Sequence, residues 1–222
     1  RHRPRLEARL KSQAPIVARH GAAATSQRLA SEVAVELLKA GGSAVDAALG
    51  ANALLSLIEP HMCGPGGDLF ALVWEPTQRC LHGLNASGRA AVDLDLESLR
   101  GRLHSAATIP MHSPYAMTVP GAVRGWQALH ERFGRLPLAD IYAPVIAHAT
   151  HGVEIGPATA AWWGHCAAAV LSSELGPLAQ GFKQVFTRDG VAPVAGTRFC
   201  NPALGATYAR IAARGFDDFY QG

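Results

Sequence analysis

Residues 41–70 read GGSAVDAALGANALLSLIEPHMCGPGGDLF, and the elements encoded there set the architecture of the chain. The opening glycine pair ends one helix, and Ser43 is placed to cap the next, with Asp46 completing a capping box. Nearly every residue over 47–58 is Ala, Leu, Ile or Gly, so this helix has no polar face. We therefore expect it to lie buried between other layers.

A glycine-rich turn follows this helix. Pro60 ends the helix, and Gly-Pro-Gly-Gly at 64–67 predicts backbone that is left-handed or too crowded for a β-carbon. Residues 68–74 then read as a strand. The turn lacks the Lys-Ser/Thr pair of a phosphate-binding loop and the third glycine of a dinucleotide fingerprint, which disfavours nucleotide binding.

The flanking segments predict paired helices and a few strands. Residues 14–24 are expected to form a short strand, and Ser26 to cap a helix whose apolar residues recur at helical spacing and pack beside the central helix. Residues 68–84 predict a hairpin. The remaining predictions are a helix over 94–103, a loop over 104–121, a helix ending at Gly134, a helix that Pro137 opens and Pro144 kinks or delays, a helix over 158–171, a loop over 175–200 and a helix over 202–214.

The composition indicates a globular chain. It has 222 residues, of which 49% are hydrophobic, enough for a sizeable core. No window approaches the ~20 apolar residues that cross a bilayer, so no membrane span is expected. The net charge of +3 owes much to a basic N-terminal arm, residues 1–13. This arm is expected to be solvated, not to bind nucleic acid, because no basic face with interleaved aromatic residues follows it.

The four cysteines are scattered, with no CxxC pair. They read as reduced or buried thiols and favour a cytoplasmic location. No signal peptide is visible, and a periplasmic or secreted location remains the alternative if a leader was removed.

A search for familiar catalytic motifs finds none. The chain has no His-Glu-x-x-His and no Gly-x-Ser-x-Gly, and its ten histidines are dispersed. His61, beside the glycine-rich turn, is favoured as a satisfied structural histidine over a catalytic one. The acids at 93, 95 and 97 are spaced as exposed charges at a helix start. Neither a metal nor an organic cofactor is expected.

Six short blocks nevertheless occur in order over residues 14–222. They are GGSAVDAA at 41–48, EPH at 59–61, GPGGDLFALV at 64–73, VPGAVRG at 119–125, FGRLP at 133–137 and FDDFYQG at 216–222. Together they resemble the large subunit of the γ-glutamyltransferase family, whose members are N-terminal-nucleophile hydrolases. The resemblance implies an α+β fold, an αββα sandwich. Residues 14–222 would form the large-subunit part of this single domain, and a missing C-terminal part or small subunit would complete it.

The resemblance also implies a mechanism. A precursor cuts itself before a threonine, and the new N-terminal Thr attacks an amide carbonyl with its own α-amine as the base. No Thr of this chain stands in that context. We therefore expect no catalytic residue in this chain. The nucleophile would come from the small subunit of the same precursor, in a large/small heterodimer that could itself dimerise.

The segment at 84–91, LNASGRAA, bears on the substrate. Members specific for γ-glutamyl groups carry an Arg that pairs with the substrate carboxylate, but here Ser87 takes that place and Arg89 follows two residues later. The Asn-x-Ser-Gly-Arg-Ala pattern resembles branches that hydrolyse other small amides, including oxamate amidohydrolase-like enzymes. Asn85, Ser87 and Arg89 are therefore predicted to bind a substrate carboxylate. A surface ion pair between Arg89 and an acid such as Asp93 is the structural alternative.

The resulting hypothesis is a self-processing amidohydrolase that cleaves a small amide carrying a carboxylate, as oxamate does. γ-Glutamyl transfer or hydrolysis, for instance of glutathione, is the first alternative. A cephalosporin-type acylase and a processing-dead homologue with a binding role are further alternatives. The predicted partners are the small subunit and the amide substrate, with no nucleic acid and no membrane.

Overall fold

The computed structural model describes residues 17–103, 108–173 and 175–222. The basic arm predicted over 1–13 lies outside these residues. The helices are α1 (Arg28–Lys39), α2 (Ala44–Ile58), α3 (Leu96–Arg102), α4 (Ala122–Phe133), α5 (Leu138–His151), α6 (Pro157–Leu171), α7 (Pro177–Phe186), α8 (Pro202–Arg214) and α9 (Asp218–Gln221). The strands are β1 (Leu69–Glu75), β2 (Cys80–Ala86), β3 (Val153–Glu154) and β4 (Arg198–Phe199), in two antiparallel pairs, β1 with β2 and β3 with β4.

Helix α2 lies at the centre of the structure. Its predicted capping box is present: the Asp46 amide donates to Ser43 Oγ at 3.1 Å, and the Ser43 amide donates to Asp46 Oδ2 at 2.8 Å. Eleven of its 15 residues are buried, which leaves it no polar face. It packs against α1 on one side and against α4 and α5 on the other. The prediction of a helix buried between layers is confirmed.

The carboxylate of Asp46 also joins two distant parts of the chain. Besides the Ser43 amide, its Oδ2 accepts from the amide of Arg135 at 2.9 Å and from that of Leu136 at 3.2 Å. Asp46 is fully buried. The start of α2 is thereby fixed to the turn between α4 and α5, which carries the FGRLP block.

Two hydrophobic cores form on either side of α2. One gathers residues of α1, α2 and α6, and its largest side chain is Trp163. The other gathers residues of α2, α4, α5 and α8 around three packed rings. These rings are Trp126, Tyr142 and Tyr208, with centroids 5.1 to 6.5 Å apart.

The two polar side chains among residues 47–58 of α2 bind aromatic residues of this second core. Asn52 Oδ1 accepts from Trp126 Nε1 at 3.1 Å, and Ser56 Oγ lies 2.9 Å from the hydroxyl of Tyr208. Because both ring donors are taken out of water, each requires a partner inside the protein. Asn52 and Ser56 therefore satisfy groups that large aromatic side chains bring into the core.

The β1–β2 hairpin has two different faces. Leu69, Ala71, Val73 and Leu84 pack against the second core. The opposite face is apolar yet exposed: Phe70 is 63% exposed, Leu72 76%, Trp74 57% and Leu81 57%. Within the described residues, no second sheet covers this face.

Several sequence predictions differ from the structure at the ends of the chain. The strand predicted over 14–24 is wrong for 17–24, which pair with no other strand, and residues 14–16 lie outside the described part. Gln27, not Ser26, occupies the N-cap position of α1, and its side chain makes no capping hydrogen bond. The hydroxyl of Ser26 donates to Glu59 Oε2 at 2.7 Å. An interaction with Glu59, 33 residues away, is invisible to a local capping rule.

Other differences concern residues next to proline. The predicted loop over 175–200 contains α7 and β4. Pro177 is compatible with a helix start because its missing N–H would have no partner there, and Phe182 and Phe186 anchor α7 on the first core. Helix α5 runs through Pro144 without the delayed start that was predicted. Within the described residues, no helix is long and apolar enough to cross a membrane.

Candidate functional site

The residues predicted to bind substrate lie at the end of β2 and in the turn after it. We call residues 85–89 the candidate loop. Asn85 is paired with Phe70, at the end of the exposed hairpin face, and its Oδ1 accepts from the Ser87 amide at 3.0 Å. Ser87 is half-buried and Arg89 is exposed. The structure brings Asn85 and Ser87 into contact, whereas no hydrogen bond among the described residues joins the Arg89 side chain to either.

The structural alternative for Arg89 is not observed. The ion pairs formed among the described residues do not involve its guanidinium, and Asp93 pairs with no cation there. An exposed guanidinium without an internal partner is available to bind a carboxylate through two parallel N–H groups.

Residues 118–121, which we call the support segment, hold the candidate loop. Thr118 Oγ1 donates to the carbonyl of Ser87 at 3.0 Å, and the Val119 amide donates to the carbonyl of Arg89 at 2.9 Å. Between these two bonds, Gly88 has φ +80°, and a β-carbon there would overlap the carbonyl oxygen of Val119. Only glycine suits this position, since any side chain would push the loop off its support.

The glycine-rich turn meets the same support segment. The carbonyl of Gly67 accepts from the amides of Gly121 and Ala122, both at 3.0 Å. The prediction of left-handed or crowded backbone in this turn is wrong. Gly64, Gly66 and Gly67 do not take a left-handed φ. A β-carbon at Gly64 or Gly66 would meet none of the described atoms within 4 Å. Nothing inside the described chain therefore requires glycine at these two positions.

A cavity of about 450 Å³ lies beside this turn, between the end of α2 and the start of α8. Cys63 lines it, and burial together with the negative charge of Glu59 raises the pKa of its thiol to about 11. A thiol with that pKa is protonated near neutral pH and is a poor nucleophile. The cavity therefore offers no activated cysteine. Among the described residues, no three His, Cys, Asp or Glu side chains are grouped to hold a metal ion.

His61 lines the same cavity and is not the satisfied histidine that was predicted. Its Nδ1 is buried and has no hydrogen-bond partner among the described residues. Burial lowers the pKa of His61, and the nearby carboxylate of Glu59 offsets part of this effect. The neutral imidazole is therefore the form that the fold prefers.

We expect His61 to destabilise the protein as the pH falls. Its pKa is lower in the folded than in the unfolded state, so the unfolded state binds more protons between the two values, and stability declines as the pH drops below about 6.5. His61→Gln, which cannot be protonated, should lose less thermal stability than the wild type between about pH 7.5 and pH 5. Melting temperatures of the full-length protein at both pH values measure this.

The exposed His165 on α6 provides the matched control. His165→Gln should retain the pH dependence of the wild type. If His61→Gln also retained it, the burial of His61 would have no measurable effect on stability.

Sequence reasoning missed the residues that support the candidate loop. Tyr220 closes the far side of the support segment: its hydroxyl donates to the carbonyl of Pro120 at 2.8 Å and accepts from the amide of Arg124 at 2.9 Å. Arg124 also pairs with Asp217 at 2.6 Å. The blocks VPGAVRG and FDDFYQG were each recognised, but no local signal indicates that they touch.

The sequence of this chain is similar to those of several known proteins. A family model described as gamma-glutamyltranspeptidase matches residues 30–222. The oxamate amidohydrolase proenzyme of Klebsiella pneumoniae is 37% identical over 214 residues, 93% of this chain and 38% of that protein. The glutathione hydrolase-like YwrD proenzyme of Bacillus subtilis is 34% identical over 195 residues, 87% of this chain and 35% of that protein. The chain thus spans a little over a third of these relatives.

Two solved structures resemble the described residues over almost the whole chain. Cephalosporin acylase from Bacillus halodurans has a TM-score of 0.81 at 33% identity, covering 95% of this chain and 40% of that one. A gamma-glutamyltranspeptidase from Pseudomonas nitroreducens complexed with L-DON has a TM-score of 0.79 at 26% identity, covering 93% of this chain and 58% of that one. The order and packing of the elements described above are therefore shared with these two proteins.

Proposed function

Because this chain belongs to the gamma-glutamyltranspeptidase family, we propose that it is the large-subunit part of a self-processing amidohydrolase. Its fold is that of the N-terminal-nucleophile hydrolases, as the six sequence blocks predicted. The proposed substrate is a small amide that carries a carboxylate next to the amide carbonyl, with oxamate as the example. The name of the Klebsiella relative supports this choice.

One observation carries the proposal. Arg89 is exposed on a rigidly held loop, and the described residues give its guanidinium no ion-pair partner. A substrate carboxylate could pair with this guanidinium without displacing an ion pair of the fold, and the planar fork of Arg would fix the orientation of the carboxylate. The Ser87 hydroxyl and the side-chain amide Nδ2 of Asn85 are the additional hydrogen-bond donors in the same loop.

The chemical step would use groups from outside this chain. The N-terminal Thr of the small subunit would attack the amide carbonyl of oxamate through Oγ, with its α-amine accepting the hydroxyl proton. The C–N bond would break, and ammonia would leave with that proton. Water would then hydrolyse the acyl-enzyme ester and release oxalate. The role of the residues described here would be to hold the carboxylate while the neighbouring carbonyl reacts.

Two surfaces support the view that further polypeptide of the same precursor completes the fold. The outer face of the β1–β2 hairpin exposes four large apolar side chains, three along β1 and Leu81 opposite Trp74 on β2, which form a larger apolar patch than a solvated strand pair normally shows. Gly64 and Gly66 have open space around their α-carbons, which lets another backbone approach closely. Both features suit a small subunit packed on this side of the hairpin.

Glutathione hydrolysis is the second candidate. The Bacillus subtilis relative is named glutathione hydrolase-like, and the Escherichia coli glutathione hydrolase proenzyme is 28% identical over 211 residues. The glutamyl α-carboxylate could also bind an arginine, but Arg89 would have to reach it from a shifted backbone position. This displacement is why we prefer the smaller amide.

The test is a substrate panel offered to the purified full-length protein. We expect two bands on a denaturing gel and release of ammonia from oxamate, with little glutamate from glutathione or from a γ-glutamyl anilide. Glutamate release without oxamate turnover would overturn the small-amide proposal in favour of the second candidate. An uncut chain that turns over nothing would overturn the enzyme proposal as a whole.

A further inference from the structure

The support segment holds the candidate loop through the loop's backbone and not through the side chains of Ser87 and Arg89. Both bonds from the support segment end on carbonyl oxygens, that of Ser87 and that of Arg89. These carbonyls flank Gly88, where a β-carbon would overlap the carbonyl oxygen of Val119. The bonds therefore fix the course of the loop and leave the Ser87 hydroxyl and the Arg89 guanidinium uncommitted.

The support segment is itself fixed from two other directions. The Tyr220 hydroxyl donates to the carbonyl of Pro120 at 2.8 Å, and the Gly121 amide donates to the carbonyl of Gly67 at 3.0 Å. A β-carbon at Gly121 would overlap the carbonyl of Ala86 at the end of β2. The segment is thus clamped between the glycine-rich turn, the C-terminal block and the strand that leads into the loop.

Thr118 is the support residue that reaches the loop through a side chain. Its hydroxyl is exposed, whereas the second bond from the support segment to the loop is made by the Val119 backbone amide, which no substitution short of proline removes. One exposed hydroxyl therefore helps to fix the Ser87 carbonyl, two residues before Arg89, together with the Val119 amide that holds the Arg89 carbonyl.

We propose that Thr118 is a positioning residue that sets how Arg89 meets the substrate carboxylate. The inference rests on the proposed function, because it needs a carboxylate at Arg89. In this role Thr118 would act through the backbone of the candidate loop and not through contact with the substrate. Its loss should therefore weaken binding of the carboxylate and leave the turnover of bound substrate unchanged.

The experiment replaces Thr118 in the full-length precursor. Thr118→Val keeps the shape and removes the hydrogen bond, and we expect KM for oxamate to rise about three- to tenfold with kcat within about twofold of the wild type. Thr118→Ser should restore KM, since it returns the hydroxyl. Hydrolysis of oxamide, the neutral analogue without a carboxylate, should not change.

Thr150→Val is the matched control, because Thr150 is exposed and its hydroxyl donates to the Ile146 carbonyl within helix α5. It should retain the kinetics of the wild type. Melting temperature and the extent of self-cleavage are measured for every variant. A loss of both in Thr118→Val that Thr118→Ser does not repair would indicate a purely structural role and overturn the proposal.

The kinetics separate this inference from the proposed function. An unchanged KM in Thr118→Val, together with a raised KM in Arg89→Ala, would exclude the positioning role of Thr118 and would still support a carboxylate site at Arg89. If neither variant changed KM for oxamate while oxamate was still turned over, the amidohydrolase activity would stand, but Arg89 would not be its carboxylate site and the positioning role of Thr118 would be excluded with it. If Thr118→Val raised KM for oxamide as much as KM for oxamate, positioning through the carboxylate would also be excluded.

Discussion

Replacing Arg89 with alanine in the full-length precursor should lower kcat/KM for oxamate by about 10- to 150-fold. The range corresponds to the loss of a charge-assisted hydrogen bond, about 1.5–3 kcal/mol. Arg89 is exposed and takes part in none of the ion pairs among the described residues, so the substitution removes little from the fold. Steady-state kinetics with oxamate measure the effect, and the melting temperature should remain that of the wild type.

Two further variants sharpen this prediction. Arg89→Lys keeps the positive charge but loses the planar fork, so it should recover only part of the lost kcat/KM. Arg79→Ala is the matched control: Arg79 lies in the hairpin turn at the opposite end of β2, about 20 Å from the candidate loop by the rise of a strand. An Arg89→Ala enzyme as active as Arg79→Ala would exclude a carboxylate site at Arg89.

The sequence predicted those parts of the fold whose partners are close along the chain. The capping box of α2 joins residues three apart, and the residues facing the core from α4 recur at helical spacing. Such patterns are complete within one window, so they can be found without tertiary information. The β1–β2 hairpin was predicted for the same reason, although β2 runs two residues further, to Ala86.

Other structural features depend on partner residues that lie far away along the chain. Residues 17–24 have the composition of a strand, but β structure needs a neighbouring strand, and the described residues provide none. The Ser26 hydroxyl donates to Glu59 and is not the acceptor for an amide of the first turn of α1. In both cases a local preference was correctly identified and then overridden by the tertiary fold.

The candidate site likewise has residues that the sequence predicted and contacts that it did not predict. Asn85, Ser87 and Arg89 were found because they match a family pattern, and the structure places them on one loop. The contacts that shape this loop were missed, because Thr118 is 31 residues from Ser87 and Tyr220 is 100 residues from Pro120. The glycine-rich turn was misread because its glycines leave open space, a property of the surroundings that the sequence does not report.

The largest effect on stability is expected at Asp46. Asp46→Ala would leave three backbone amides, those of Ser43, Arg135 and Leu136, without their acceptor. Because these amides are only partly buried, each lost acceptor should cost near the lower end of about 1–3 kcal/mol, so we expect the free energy of unfolding to fall by about 3–5 kcal/mol in total. Urea unfolding of the full-length precursor measures this loss.

Asp140 and an isosteric substitution provide the comparisons for Asp46. Asp140 also lies in the first turn of a helix, α5, but it is exposed, and Asp140→Ala should cost at most about 1 kcal/mol through the helix dipole. Asp46→Asn keeps a carbonyl oxygen that can accept from the same amides and should fall between the two. An Asp46→Ala protein as stable as Asp140→Ala would show that water replaces the carboxylate at the three amides.

Substitutions at Asp46 and Arg89 should therefore affect different quantities, stability in one case and kcat/KM in the other. Asp46 lies inside the fold and joins α2 to the turn before α5, so its loss should reduce the amount of folded protein while the kcat/KM of the folded fraction stays the same. Arg89 lies outside the core, so its loss should reduce kcat/KM while the free energy of unfolding stays the same. If both substitutions changed both quantities, the candidate loop would be coupled to the α2 cap, and the independence of site and core inferred from their separate contacts would be wrong.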